Sequence, residues 1–384
     1  MEYKKIEELT TVVTGGTPST SKREYWDDGT IPWLQSGCCQ NCDVFSADKY
    51  ITQAGYDNSS TRMMPPETVM IALTGATAGK VGYLKIEACG NQSITGILPC
   101  DSLNQKYLYY YLLSQRRKIL SDCIGGAQPH ISQGYVKNMI VPVPEKMSQN
   151  GIVEYLEKVS SIINMRQNQI DLLNDLVKAR FVELFGTLDN PSQEFEKATL
   201  KELCNKITDG KHGGCAQEEG TDRYFVGARE IFDDEVHYET APQINIEEFE
   251  KDYKRCNVEI GDFLIVNTGA TIGKSAIASD IRTEHTLLQK SVALLKVKRE
   301  LLNPVFLKWC YRVNTKMYLV ESASAQPNLL LSKINSTVIY VPDISLQKQF
   351  ADFVEQVDKS KFVVQKSLEE TQLLFDSLMQ EYFG

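Results

Sequence analysis

The sequence predicts an α+β fold: two mixed α/β globular domains separated by two long helices packed as an antiparallel coiled coil, the whole a pseudo-twofold internal repeat. Three observations predict it: the chain is written twice, each copy closes on a long stretch free of proline with a 3.5-residue apolar period, and the connection between the copies is short. The repeat is clearest where Thr74-Gly75-Ala76-Thr77-Ala78-Gly79-Lys80 returns as Thr268-Gly269-Ala270-Thr271-Ile272-Gly273-Lys274, six of seven positions identical at an offset of 194. The same offset places Ile6, Glu8, Leu9, Thr14 and Gly16 on Leu200, Glu202, Leu203, Thr208 and Gly210. Later the offset is 198: Ala127-Gln128-Pro129 matches Ala325-Gln326-Pro327, Val143-Pro144 matches Val341-Pro342, and Phe185-Gly186 matches Phe383-Gly384.

Each copy opens with a domain of mixed character. Apolar runs such as Val69-Met70-Ile71-Ala72-Leu73 and Phe263-Leu264-Ile265-Val266 read as strands. Helices are expected at 106–121 and 304–321, then at 148–185 and 345–383. Residues spaced alternately by four and three form a seam on each long helix: Ile152, Leu156, Val159, Ile163, Arg166, Ile170, Leu173, Val177, Arg180 and Leu184 on the first, and Phe350, Val354, Val357, Lys361, Val364, Leu368, Thr371, Phe375, Leu378 and Tyr382 on the second. Eight of ten are apolar in each, and each helix stops at a glycine. The boundaries are therefore 1–147 for the first domain, 148–186 for the first helix, 187–344 for the second domain with its linker 187–197, and 345–384 for the second helix.

Geometry turns these pieces into an arrangement. A helix of this length spans about 57 Å, whereas a domain of this size is roughly 30 Å across. The linker reaches at most about 36–40 Å. The second domain is thus expected near the far end of the first helix, with the second helix running back, two heads at the ends of one rod.

Composition sets outer limits. The chain has 384 residues, 42% of them hydrophobic and 24% charged, enough for two or three domains. No run of 18 apolar residues is present, so no membrane-spanning helix is expected. The start, Met1-Glu2-Tyr3-Lys4-Lys5, is too charged for a signal peptide. Ten irregularly spaced cysteines suit a reducing cytoplasm. A net charge of −9 argues weakly against nucleic acid, yet residues 1–147 carry 14 basic and 14 acidic side chains, so a head can still present a basic face.

Several motifs invite chemistry and fall short. Gly269-Ala270-Thr271-Ile272-Gly273-Lys274-Ser275 has three residues between its glycines where a P-loop needs four. It reads better as a turn whose Thr hydroxyls, backbone amides and Lys grip phosphate, or as a purely structural turn. Asn303-Pro304-Val305-Phe306 departs from the Asn-Pro-Pro-Tyr/Phe motif of amino-methyltransferases and reads as a capped helix start. Cys39-x-x-Cys42 and His212-x-x-Cys215 lack the paired spacing of a zinc site, so no metal is expected. Four histidines do not define a catalytic set.

Two similar heads related by a twofold suit a ligand of the same symmetry, and DNA is the commonest. Heads that diverge on a common scaffold suit two different half-sites. At this point the sequence resembles the specificity (S) subunit of Type I restriction-modification enzymes. The resemblance rests on Gly15-Gly16-Thr17-Pro18, Ile31-Pro32-Trp33-Leu34, both Thr-Gly-Ala-Thr-x-Gly-Lys blocks, Ala-Gln-Pro, the Val-Pro before each helix and the helices ending in Phe-Gly. The second copy departs from it, with Asp209-Gly210-Lys211-His212 at the first motif and no match to the second. The resemblance implies two target recognition domains reading a split double-stranded DNA sequence. It implies helices that act as a ruler and dock two methyltransferase subunits, which a restriction (endonuclease/translocase) subunit can join. It also implies no catalysis on this chain, and S-adenosylmethionine on the methyltransferase partner alone. The alternatives are a fused bi-domain DNA-modifying enzyme and a protein-only scaffold.

Base readers are sought among polar residues of the heads. The candidates are Lys22, Arg23, Arg62, Thr74, Thr77, Lys80 and Gln92 in the first, and Lys211, His212, Arg229, Thr268, Thr271, Lys274, Gln289 and Lys290 in the second. If the helices are a ruler, inserting one heptad into both adds about 10.5 Å and lengthens the unread spacer by about 3 base pairs. Sequencing the methylated sites of cells carrying the lengthened chain checks this, and an unchanged spacer would refute the ruler.

Overall fold

The computed structural model describes residues 2–123, 129–318 and 328–384 of the chain. It divides into two units, Met1–Gln167 with Lys366–Gly384, and Asn168–Gln365. Each unit contains one head together with parts of both long helices.

The first head is built on a five-stranded sheet in the order Val12–Thr14, Ile94–Ile97, Val69–Ala72, Val81–Leu84, Cys42–Val44. The first four strands are antiparallel and the last is parallel to its neighbour. Beside it lies a three-stranded sheet, Lys49–Ile51, Ile31–Leu34 and Cys89–Gly90. The second head repeats the frame with Cys204–Asp209, Val292–Val297, Phe263–Val266 and Ser275–Ile277 in order, and a parallel pair, Tyr224–Val226 with Thr286–Leu288. In both heads a strand that precedes a long helix, Ile140–Val143 or Val338–Val341, pairs antiparallel with the head's opening strand, Glu2–Lys5 or Glu196–Thr199.

The apolar runs explain why these central strands form. Successive side chains of a strand point to opposite faces, so a strand covered on both sides reads as continuously apolar. Val69 and Ile71 enter one core cluster while Met70 and Ala72 enter another. Phe263 and Ile265 are divided in the same way from Leu264 and Val266.

The long helices run Lys146–Phe185 and Ile344–Phe383, 40 residues each. They pack together, and no residue of either predicted seam is exposed. In the first unit, Ile152, Val153 and Leu156 share a core with Phe375, Leu378, Met379, Tyr382 and Phe383. In the second, Leu173, Val177, Phe181, Leu184 and Phe185 share one with Phe350, Phe353, Val354 and Val357. The start of each helix therefore meets the end of the other, which is the antiparallel pairing. Rings seal each junction: Phe383 lies 5.3 Å from Tyr107 and 5.9 Å from Tyr111, and Phe185 lies 4.9 Å from Phe306 and 5.6 Å from Phe350. Gly186, at φ +72°, closes the first helix in the left-handed conformation that glycine adopts freely.

Four sequence expectations need correction. The helix at 106–121 is two, Gln105–Ser114 and Arg116–Ser121, broken at Gln115. The helix at 304–321 is Pro304–Val313, followed by a short turn, Thr315–Met317. The register near the start shifts by one residue. Hydrogen bonds from Gly15 N to Ile94 O and from Gly210 N to Val292 O make Gly15 the counterpart of Gly210. A β-bulge between Cys204 and Lys206 supplies the extra residue. Finally, Ile31-Pro32-Trp33-Leu34 does have a counterpart: Leu34 pairs in parallel with Gly90 as Val226 does with Leu288. Its strand survives as Tyr224–Val226 with different side chains. Ala127 and Gln128, and Ala325, Gln326 and Pro327, lie outside the described residues.

A buried glutamine fastens each head to the helix that leaves it. Gln149 Nε2 donates to Ser102 O (3.2 Å) and Pro144 O (2.9 Å), and its Oε1 accepts from Asn104 N (2.7 Å). Gln347 repeats this with Leu301 O (3.0 Å), Pro342 O (2.7 Å) and Asn303 N (2.8 Å). Asn104 and Asn303 in turn cap the helices that follow them. Replacing Gln347 by Leu strands the buried Pro342 carbonyl and the half-buried Leu301 carbonyl and Asn303 amide. It is expected to cost roughly 2–4 kcal/mol in denaturant unfolding; an unmoved midpoint would show that the clamp does not hold the junction.

Candidate nucleic-acid interface

Several loops converge at one end of each head. In the first head the close approach is set by glycine: a Cβ on Gly15 would lie 2.0 Å from Gly90 O, so only glycine lets the loops touch. Gly16 N donates to Gly90 O (2.8 Å), Leu73 N to Ser93 O (2.8 Å) and Gly75 N to Pro129 O (3.1 Å). Thr61 Oγ1 also donates to Gly90 O, at 2.8 Å. These bonds gather Thr17, Arg62, Thr74 and Gln92 into one loop cluster, with Thr17 Oγ1 2.5 Å from Gln92 Oε1. Lys22 and Arg23 are at the short turn Arg23–Tyr25 and make none of these bonds. Lys22 Nζ donates to Tyr25 Oη at 2.9 Å, a bond that raises its pKa, while Arg23 is exposed.

In the second head, Lys211, Thr268, Gln289 and Lys290 line a common pocket of about 380 Å³ with Gly213, Ser291 and Asn328. Lys211 is not a free cation there: its ammonium lies 2.7 Å from Asp252 and 3.3 Å from Glu248. The Asp252 contact, more than the Glu248 contact, lifts its pKa above the usual lysine range. His212 Nε2 lies 3.2 Å from Asp209 Oδ2, and Asp209 also binds Arg255. Both residues would have to leave acidic partners to meet a phosphate. Arg229 is exposed on the neighbouring loop, where Ala228 N donates to Ser291 Oγ at 3.1 Å.

The repeated Thr-Gly-Ala-Thr-x-Gly-Lys block is the same turn in both heads. Gly75 and Gly79 have φ of +71° and +72°, and Gly269 and Gly273 of +97° and +90°. The turn feeds a strand, Val81–Leu84 or Ser275–Ile277, where a P-loop would feed a helix. Its backbone amides are largely used within it: Gly79 N bonds Ala72 O and Lys80 N bonds Thr77 O, as Gly273 N bonds Val266 O and Lys274 N bonds Thr271 O. These glycine and lysine amides are thus committed to holding the turn, and its outward groups are side chains. Thr77 Oγ1 donates to Thr74 O (3.3 Å), and Lys80 Nζ to Gln40 Oε1 (2.5 Å). Thr271 is half-buried and Lys274 is exposed, beside a separate pocket with Asp234, Arg312 and Tyr318.

The sequence reading missed Asn328, Ser291 and the acidic partners of Lys211. Nothing in spacing pointed to them, because the contacts cross between loops. It also missed Gln149 and Gln347, for which a signal existed: both stand five residues after the repeated Val-Pro. Among the described residues, no group of three or more His, Cys, Asp or Glu is placed to hold a metal, and no helix is long and apolar enough to cross a membrane. All ten cysteines are free thiols.

The chain is similar to several known proteins. It is 29% identical to the Type I restriction enzyme EcoR124I/EcoR124II specificity subunit of Escherichia coli over 193 residues, 46% of this chain and 48% of that protein. To the MjaIX specificity subunit of Methanocaldococcus jannaschii it is 27% identical over 214 residues, 54% of this chain and 49% of that one. It thus spans about half the length of these two relatives. The EcoprrI specificity subunit of Escherichia coli aligns over 93% of the chain and 88% of its own length at 21% identity. The fold is shared with the S subunit of the Type I restriction-modification system from M. genitalium, with a TM-score of 0.57 and 16% identity over the whole chain and 96% of that structure. A chain from a structure describing complex assembly and conformational transition of the Type I R-M system gives a TM-score of 0.59 at 14% identity, covering all of this chain and 97% of that one. The family model for the Type I restriction modification DNA specificity domain matches twice, at residues 1–174 and 192–371, and the chain belongs to that family.

Proposed function

We propose that this chain is a non-catalytic DNA-recognition subunit that reads a bipartite, asymmetric double-stranded target, one half-site per head. The observation that carries the reading is the loop cluster repeated at one end of both heads. The two clusters share a backbone frame and differ in side chains, which is what reading two different sequences requires. Arg, Lys, Gln and Asn at such tips are the side chains that pair with base edges, and neighbouring Thr and Lys suit phosphates.

The reading includes partners. Two methyltransferase subunits dock along the long helices, an assembly that a restriction subunit can join. Support comes from apolar side chains left outside the seam. Tyr155, Met165, Leu172 and Phe362 are each more than half exposed. In the second unit, Ala351, Phe362, Val363 and Val305 line a groove of about 730 Å³. Exposed apolar surface of this kind marks contact with another protein. The reacting groups and S-adenosylmethionine belong to those partners, and the complex works in the cytoplasm, where its DNA is.

A footprint on a bound duplex is expected to show two protected patches flanking an unprotected spacer; one continuous patch would contradict the reading. Replacing Lys274 by Ala is expected to weaken binding about equally on all sequences and to reduce the slope of log affinity against log salt by about 0.9. An unchanged slope removes Lys274 from the phosphate contacts. Calorimetry of the chain with S-adenosylmethionine alone is expected to show no binding, and tight binding would favour a fused enzyme.

A further inference from the structure

The two heads hold one loop in the same cage and arm it differently. In the first head Asn91 N donates to Leu34 O (2.9 Å), Leu73 N donates to Ser93 O (2.8 Å), and Gly16 N donates to Gly90 O (2.8 Å). In the second, Gln289 N donates to Val226 O (2.8 Å), Asn267 N to Ser291 O (3.0 Å), and Lys211 N to Leu288 O (2.7 Å). These bonds correspond one for one. They align Asn91 with Gln289, Ser93 with Ser291 and, between them, Gln92 with Lys290.

The flanking residues are committed to the cage. Asn91 Oδ1 accepts from Ser93 N at 3.1 Å, and Gln289 Nε2 reaches Phe225 O at 3.4 Å. Only the middle residue is exposed in each head. Gln92 Oε1 accepts from Thr17 Oγ1 with one of its two lone pairs, which orients the carboxamide and leaves its NH₂ free to donate and the second lone pair free to accept. Lys290 has no ion-pair partner among the described residues and stands at the rim of the pocket formed with Thr268, Ser291 and Asn328. A shared backbone frame with one exchanged, outward side chain is the simplest device for giving two copies of a fold different sequence preferences.

We propose that Gln92 and Lys290 are corresponding base-reading positions, Gln92 selecting an adenine in one half-site and Lys290 a guanine in the other. The chemistry sets the assignment. A carboxamide offers one donor and one acceptor, which match adenine N7 and its 6-amino group. An ammonium offers donors only, which match guanine N7 and O6. The inference rests on the DNA-reading function proposed above and names the residues and bases within it.

Selection of bound duplexes from a randomised library, with the full chain, tests it. Gln92→Lys is expected to change one position of one half-site from A·T to G·C, by on the order of tenfold in preference, and to leave the other half-site alone. Lys290→Gln is expected to make the reverse change in the other half-site only. Both residues are exposed, so melting of the variants should match that of the parent chain. A parent motif that both variants also enrich overturns this inference while leaving the DNA-reading function standing. A uniform loss of affinity without a change at any position overturns it as well, since that is the signature of a phosphate contact. A parent chain that enriches no motif overturns the DNA-reading function and this inference together.

Discussion

Burial of each long helix's last residues in a head laid down elsewhere in the chain is the constraint on which the rest of the structure depends. Phe383 ends the second long helix, yet it packs on Tyr107 and Tyr111 of the first head. Phe185 ends the first helix and packs on Phe306 and Phe350 of the second unit. Neither head completes its core from its own sequence block. The aromatic end of one helix fills a socket beside the start of the other, and Gln149 or Gln347 fixes that start to the head's own backbone. Apolar packing and satisfied buried polar groups act on the same few residues, so helix direction and head position are set together.

This arrangement divides labour between the parts of the head. One face of each central sheet and the helices Gln105–Ser114 and Pro304–Val313 pack into the junction. The opposite loops are held by backbone hydrogen bonds and by glycines that admit close approach, so their outward side chains are not needed for the core. That freedom fits the exchange of Gln92 for Lys290 at the tip, whereas the buried strand beneath keeps its pairing and stays apolar, with Trp33 and Leu34 in one head and Phe225 and Val226 in the other.

Much of the frame was legible in the sequence because it is periodic. A seam spaced by four and three leaves an unbroken mark, and every seam position is shielded in the structure. The continuous apolar runs likewise marked strands covered on both faces. The boundaries of the shorter helices were less legible: Gln115 ends a helix that local composition would continue, whereas Asn314 after Arg312 was a stop signal that the reading passed over. Register was lost where a single bulge near Lys206 shifted the alignment, pairing Thr14 with Thr208 by identity although Thr14 corresponds to Asp209 in the sheet. At the loop tips, residue type identified polar candidates but not their partners. Lys211 looked like a free cation and is held by Asp252 and Glu248, contributed by a helix about forty residues away. Gln92 and Lys290 were found separately; only the hydrogen-bond register shows that they are the same position.

The claim that each head is completed by a distant helix end is tested most directly by hydrogen exchange on a chain carrying Phe383→Ala. Loss of the ring is expected to lower protection in 366–384, in 146–156 and in the helix Gln105–Ser114 together, while the strand Phe263–Val266 of the second unit keeps its protection. Unchanged protection in Gln105–Ser114 would contradict the account, since it would mean that the first head holds its core without the end of the second long helix.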